Sequence, residues 1–292
     1  MSKIVIVGSI NADLVFITDE RPASGSTVMG KKFSTIPGGK GANQAVAASR
    51  LGGQVSMIGL VGKDIYGNKM IENLRKNDVS TTAVEQIDAD TGTAGIIVDS
   101  KDNSIVVIPG ANSELDIDYI KKHQAVIKEA EIVVVQLEVP IKTVEYVVDF
   151  CQQFNIKTIL NPAPSQKLSK TLIEHATYIT PNEHEAKEIL GNLHLENMLK
   201  SYPNKLIVTL GDKGVVFFDG NTVHTIPVEK VDVLDTTGAG DTFNGALAYA
   251  LTKENFSLID AIKFASRAAT ISVTKYGAQG GMPTQKELER WS

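Results

Sequence analysis

Short Val- and Ile-rich runs recur along the chain: Lys3–Gly8, Val55–Gly62, Ile132–Glu138, Lys157–Asn161, Tyr178–Thr180 and Leu206–Gly211. They are apolar at nearly every position, so as strands they have no face to give to water. That restricts the fold to a sheet covered on both sides, which in practice means parallel strands joined by helices. The intervening stretches have helical spacing: Gly41–Leu51, Tyr66–Asn77, Asp116–Ala130, Thr143–Phe154, Glu183–Leu190 and Asp241–Leu251. A further one, Ser257–Tyr276, starts at a serine cap and is expected to end at Gly277. With 292 residues, the chain can bury a large core as one big domain or as two modest ones. The expected fold is a single α/β domain over 1–292, a central, mostly parallel sheet flanked by helices.

Two segments break the alternation. Leu14–Pro37 reads as strands without a helix, and Thr93–Val98 with Ser104–Ile108 reads as a hairpin joined by Asp99–Asn103. Together they are expected to form a small β-sheet lid from about 14–37 and 93–108. A second hairpin is expected from Gly214–Asp219 and Thr222–Pro227, turning at Gly220–Asn221. Neither a repeat nor a low-complexity tract interrupts the pattern.

Composition narrows the function classes. A net charge of −5 argues against nucleic acid or an acidic membrane as partner, and no apolar run approaches a membrane span. A phosphate ligand remains open, because a few backbone N–H groups can hold one without a basic patch. The start of the sequence has no signal-peptide pattern, and Cys151 is the one cysteine. A cytoplasmic setting is expected, with Cys151 packed as a small core residue. His123, His175, His184, His194 and His224 show no metal-ligand spacing.

Two stretches carry chemistry. Asp235-Thr236-Thr237-Gly238-Ala239-Gly240-Asp241 runs from small residues straight into a helix. Such a turn lets backbone N–H groups converge on an anion at a helix N-terminus. An aspartate there can accept a hydroxyl proton beside the bound phosphate, or it can simply cap the helix. The other stretch, Gly38-Gly39-Lys40-Gly41-Ala42-Asn43-Gln44-Ala45, is a glycine-rich loop entering a helix. Lys40 is not followed by Ser or Thr, so it is not a P-loop. Gly8-Ser9-Ile10-Asn11 lacks the spaced glycines of a dinucleotide fingerprint. Glu138 ends an apolar run, where an unpaired carboxylate is costly, and strand C-terminal ends are where open α/β sheets bind ligands. Asn11 and Asp13 read equally well as turn residues or as ligands.

In this order, and roughly 200 residues apart, the two stretches resemble the signature motifs of the ribokinase-like (PfkB) carbohydrate kinase family. The resemblance covers essentially the whole chain. Supporting segments are Asn11-Ala12-Asp13, Gln136-Leu137-Glu138-Val139-Pro140, Asn161-Pro162-Ala163-Pro164, Pro181-Asn182-Glu183-His184-Glu185, Thr209-Leu210-Gly211-Asp212-Lys213-Gly214 and Lys275-Tyr276-Gly277-Ala278-Gln279. The resemblance implies an ATP-dependent kinase acting on a small furanose, ribose first, at its O5 hydroxyl to give ribose 5-phosphate. The rivals are 2-deoxyribose, fructose or a nucleoside as acceptor, and a sugar sensor that no longer catalyses. A nucleoside would want aromatic platforms, and the lid segments offer only Phe16 and Phe33.

By the same resemblance Asp241 is the catalytic base, and the amides from Gly238 through Ala239 and Gly240 to Asp241 form an anion hole. Asn11, Asp13, Gly39, Lys40, Gly41, Asn43 and Glu138 are the implied sugar ligands. Asn182 and Glu185 are implied to position Mg²⁺ and phosphate, though acidic residues also suit a helix start. Thr209, Gly211, Asp212, Lys213, Gly214, Gly240 and Ser266 are the implied ATP contacts. A monovalent cation, K⁺, is implied at Asp235, Thr237, Ser272, Lys275, Gly277 and Gly281, where backbone carbonyls dominate. The alternative is that Asp235 only caps its own turn. Two lids are implied to pack as a homodimer, which the alternation of Ile96, Val98, Ile105 and Val107 suits.

Overall fold

The computed structural model describes residues 4–99 and 103–291; Lys3 and most of the Asp99–Asn103 connector lie outside them. The chain opens with β1 (Ile4–Val7), β2 (Asn11–Ile17) and β3 (Lys32–Gly38), then α1 (Lys40–Arg50). There follow β4 (Val55–Gly62), α2 (Ile65–Lys76), β5 (Val79–Ile87), β6 (Gly92–Val98) and β7 (Asn103–Ile108). A 3-10 turn at Gly110–Glu114 leads to α3 (Ile117–Lys122), α4 (Gln124–Lys128), β8 (Ile132–Val135), α5 (Ile141–Gln153) and β9 (Lys157–Leu160). Next come α6 (Lys170–His175), β10 (Tyr178–Ile179), α7 (Glu183–Leu190), α8 (Leu195–Ser201) and β11 (Ile207–Thr209). The chain finishes with β12 (Val215–Phe218), β13 (Val223–Ile226), α9 (Ala239–Leu251), α10 (Leu258–Ser272), α11 (Ala278–Gly281) and α12 (Gln285–Arg290).

Six strands form the central sheet in the order β10-β9-β8-β1-β4-β5, every pair parallel. The period of two along β1 builds both cores. Ile4 and Ile6 join Ala45, Phe243 and Ile262 on one face, and Val5 and Val7 join Val147, Leu172 and Ile120 on the other. All four β1 side chains are essentially fully buried; each such side chain is worth about 1.5–3 kcal/mol of burial. Cys151 lies in the second core, and burial pushes its thiol up to about 12, so it is packing rather than chemistry. After β1 the chain adds strands on one side, and from β8 onward on the other. The sheet therefore has a switch point between β1 and β8, where a crevice opens at the strands' carboxyl ends.

The lid is a separate four-stranded sheet, β3-β2-β6-β7, with β2 parallel to β6 and the other pairs antiparallel. It begins earlier than expected: β2 starts at Asn11, so Asn11 and Asp13 are strand residues at the root of the lid, not turn residues. Ile96, Ile105 and Val107 line the cleft beneath it, so the alternating face expected to suit a lid-to-lid contact is turned to the cleft instead.

Several expected elements differ in detail. The run Ile132–Glu138 is a strand only to Val135, so Gln136 and Glu138 sit on the loop at the switch point. Leu206–Gly211 does not extend the parallel sheet; β11 pairs antiparallel with β12 in a small sheet continued by β13. Parallel bridges Ile179↔Leu206 and Asn182↔Thr209 tie that sheet to the main one. Asp116–Ala130 is broken at His123 into α3 and α4, and the long helix stops at Ser272, five residues before Gly277. The edge strand β5 and the short helices α6, α8, α11 and α12 carry too weak a pattern to have been expected. Among the described residues no helix is long and apolar enough to cross a membrane.

Candidate active site

Asp241 sits in the first turn of α9 behind Gly238, whose left-handed backbone (φ 78°) turns the chain into the helix. The helix packs on α1 so closely that a Cβ on Gly245 would come 2.5 Å from the Gln44 carbonyl oxygen. That approach brings two amides of α1 onto one carboxylate. Asn43 Nδ2 donates to Asp241 Oδ2 at 3.0 Å, and Gln44 Nε2 donates to Oδ1 at 3.0 Å. Asp241 is 7% exposed, enough to reach a ligand and too little to be only a helix cap. The helix start leaves the amides of Gly240 and Asp241 without intrahelical partners. The Ala239 amide, by contrast, donates to the Thr236 carbonyl at 3.2 Å, so it is engaged in the turn.

Next to it is a cleft of about 710 Å³ under the lid, lined by Asn11, Asp13, Gly39, Lys40, Asn43, Glu138 and Asp241 among others. Glu138 Oε2 accepts from Ser9 Oγ at 2.5 Å and from the Lys40 amide at 3.0 Å, which locks the two loops of the switch point together. Asn11 Oδ1 accepts from Asn112 Nδ2 at 2.7 Å, fixing which way its amide faces. Gly41, the remaining expected sugar ligand, is buried against Ser9 and is not in the wall of this cleft; its amide donates to Ser9 Oγ at 3.3 Å. Burial pushes the Asp13 carboxyl up from 3.8 to about 7, with Glu138 and Asp241 adding repulsion against the pull of Lys40. Burial works against the Lys40 ammonium, but Asp241, Glu138, Glu185 and Asp13 outweigh it and raise its pKa. A cleft with three carboxyls, Asp13, Glu138 and Asp241, around one ammonium is suited to a neutral molecule rich in hydroxyls.

A second cavity, about 170 Å³, lies across Asp241 and is lined by Asn182, Glu185, Thr209, Gly240 and Asn161; it shares Lys40, Gly238 and Asp241 with the first. Asn182 and Glu185 form a capping box at the start of α7: Asn182 Oδ1 accepts from the Glu185 amide, and Glu185 Oε2 from the Asn182 amide. Burial raises the Glu185 carboxyl despite the Asn182 amide and Lys40. Gly211, Asp212 and Lys213 form a 3-10 turn beyond Thr209, followed by Gly214, all outside the cavity wall. Ser266 is 4% exposed within α10 and lines neither cavity, so the structure does not bring it to this site.

The six residues expected around a cation come from the loop before α9 and from the stretch between the end of α10 and the end of α11, and Asp235 joins the two. Its Oδ1 accepts from the Thr237 amide at 2.9 Å and its Oδ2 from the Gly277 amide at 2.8 Å. The Gly281 amide donates to the Gly277 carbonyl, and a Cβ on Gly281 would come 2.1 Å from the Ser272 carbonyl oxygen. Lys275 turns its ammonium to Glu287 at 2.6 Å, leaving only its backbone for such a role. Among the described residues no group of three or more His, Cys, Asp or Glu could hold a metal. A donor set of carbonyls and one carboxylate fits a monovalent ion better than a divalent one.

Sequence reasoning gave no role to Ser9, Gln44, Asn112, Asn161 or Gln279, all buried and bonded to site residues. Gln44 had one usable signal, a second polar residue in a helix otherwise built of small apolar ones. Asn161 and Gln279 stand in segments that carry the family resemblance, while Ser9 and Asn112 had no signal because their partners lie far away in sequence.

The sequence pattern described as pfkB family carbohydrate kinase matches residues 1–285. The chain is 48% identical to a ribokinase of Lactococcus lactis over 99% of this chain and 96% of that one. A ribokinase structure from Thermotoga maritima superposes with a TM-score of 0.90, at 35% identity and 99% coverage of both chains. A ribokinase of Arabidopsis thaliana complexed with ribose and ATP superposes with a TM-score of 0.89, at 29% identity, covering 99% of this chain and 98% of that one.

Proposed function

We infer that this chain, which belongs to the pfkB family of carbohydrate kinases, transfers the γ-phosphoryl group of ATP to O5 of D-ribose, giving ribose 5-phosphate and ADP. One observation carries the reading: the two cavities meet at Asp241, Lys40 and Gly238, so a sugar in one and phosphates in the other would present their reacting atoms to the same three residues. The relatives reported above are ribokinases, one of them complexed with both substrates. Phe16 and Phe33 pack on each other with ring centroids 5.1 Å apart, and among the described residues no aromatic side chain lines either cavity, which favours a bare sugar over a nucleoside.

In this mechanism Asn11, Asp13, Lys40, Asn43 and Glu138 take the ribose hydroxyls and leave O5 beside Asp241. The Asp241 carboxylate, held by Asn43 and Gln44, accepts the O5 proton as that oxygen attacks the γ-phosphorus in line. The amides at the start of α9 and the Lys40 ammonium receive the charge that develops on the phosphoryl oxygens. No covalent intermediate is needed; the rate comes from placement and charge. Glu185 and Asn182 are the residues that would hold Mg²⁺ near the phosphates, where the ion neutralises their charge. Asp235 and the carbonyls of Thr237, Ser272, Lys275, Gly277 and Gly281 would hold K⁺ and stiffen the turn into α9. We further take the chain as one domain with its lid at 14–37 and 93–108, working in the cytoplasm as a homodimer joined through the lids.

The test is ADP release with ribose, 2-deoxyribose, fructose, adenosine or no sugar. Ribose should give the highest kcat/KM, because each missing hydroxyl leaves a buried partner unpaired at about 1–3 kcal/mol. A clear win for fructose or adenosine would overturn ribose and keep the kinase; no sugar-dependent turnover at all would overturn both.

A further inference from the structure

Two chains of buried side-chain amides converge on Asp241, and their direction is dictated by the carboxylate. Its oxygens can only accept, so Asn43 must turn Nδ2 toward Oδ2, at 3.0 Å. That leaves Asn43 Oδ1 facing Gln279, which must donate through Nε2, at 3.0 Å. Gln279 Oε1 then faces Asn73 on α2, which donates through Nδ2 at 2.8 Å. On the other oxygen, Gln44 Nε2 donates to Asp241 Oδ1 and to Asn161 Oδ1, both at 3.0 Å. Gln44 Oε1 accepts from Gln136 Nε2 at 2.7 Å. Gln44 and Gln136 are wholly inaccessible to solvent, so no water competes for these bonds. Each amide has two ends of opposite polarity, and fixing one end fixes the next amide along.

We propose that Asn73, Gln279 and Gln136 are positioning residues that set the polarity of Asn43 and Gln44, so that Asp241 meets N–H groups on both oxygens and is aimed into the cavity junction. The proposal rests on Asp241 being the base. It makes a claim that plain packing does not: reversing the polarity of a distant amide is worse than deleting it. In Gln279→Glu the carboxylate still accepts from Asn73 but also faces Asn43 Oδ1. Asn43 then turns to donate to it and presents an oxygen to Asp241. Gln279→Met removes the link without reversing anything.

The experiment measures kcat, KM for ATP and Tm for Gln279→Glu, Gln279→Met, Asn73→Asp and Asn73→Ala, with Asp241→Asn alongside. Gln279→Glu should lose about 10²-fold in kcat, the loss expected for a misaimed catalytic group. Gln279→Met should lose about ten-fold or less, the worth of one hydrogen bond. For the Gln279 and Asn73 variants KM for ATP should stay within about two-fold, since neither side chain lines the phosphate cavity. Asn73→Asp should likewise fall below Asn73→Ala, and because Asn73 is half-buried on α2, that pair covers the case in which a Gln279 variant fails to fold. The reverse order, with each acidic variant milder than its apolar counterpart, would overturn the proposal, as would losses seen in Tm alone. If Asp241→Asn keeps its turnover, it is the base assignment that fails instead.

Discussion

Replacing Asp13 by asparagine should stabilise the ligand-free protein, and only at the upper end of the pH range. Asp13 is 9% exposed at the root of the lid, facing Glu138 and Asp241, and its carboxyl titrates at about 7 instead of 3.8. The folded state therefore holds that proton over a window in which the unfolded chain has released it. With a raised pKa in the folded state, the stability is fully present below 3.8, drains away as pH rises, and is gone above about 7. A rise from 3.8 to about 7 corresponds to about 4 kcal/mol. Asparagine copies the shape of the protonated acid and never ionises, so it avoids that loss. At roughly 2 °C per kcal/mol for a chain of this length, Tm of the variant should exceed the parent by about 8 °C at pH 8. The gap should be about half as large near pH 5.5 and vanish toward pH 4. Thermal melts without sugar across that range measure it directly. A gap that ignores pH, or one that widens as pH falls, would refute the burial argument for Asp13. The same variant should bind ribose more weakly, since a carboxyl suited to sugar hydroxyls is costly to keep in an empty cleft.

Asp241→Asn should lower kcat by about 10²–10⁴-fold or more while leaving the fold and ribose binding nearly intact; near-parental turnover in a coupled assay would remove Asp241 as base. Light scattering at micromolar concentration should give a dimer, because Phe33, Val106 and Ile108, on the lid face turned away from the cleft, are more than half exposed on a sheet too small to stand alone, and a monomer there counts against the lid interface. Rates in tetramethylammonium buffer should rise when K⁺ is added and less so with Na⁺, while Gly281→Ala, whose Cβ would press to 2.1 Å from the Ser272 carbonyl oxygen, should blunt that response. A flat response to K⁺ in the parent protein would take the cation out of the mechanism.

Much of this protein is legible in the order of its residues. The largely apolar runs at Lys3–Gly8 and Val55–Gly62 read as strands covered on both sides, because hydrophobic burial acts on each short segment independently of its partners. The two glycine loops announced helix starts that receive a ligand, since backbone N–H geometry is local. The edge strand β5, reading VSTTAVEQI, was not legible, because one half-buried face leaves a pattern that other structures share. The break at His123 and the stop at Ser272 were hidden too: weak helix formers stand at both, but no glycine or proline marks the ends. The site divides in the same way. Sequence could mark Asp13, Lys40, Glu138 and Asp241 one by one, each with a dull alternative. Only the fold put four carboxyls around one ammonium and joined Asp241 to Asn43 across 198 residues, and Asn43 to Gln279 across 236. Charge interaction and hydrogen bonding depend on distances of a few ångströms, and those are set by how α9 seats on α1, a packing of two whole helices that neither sequence segment encodes alone.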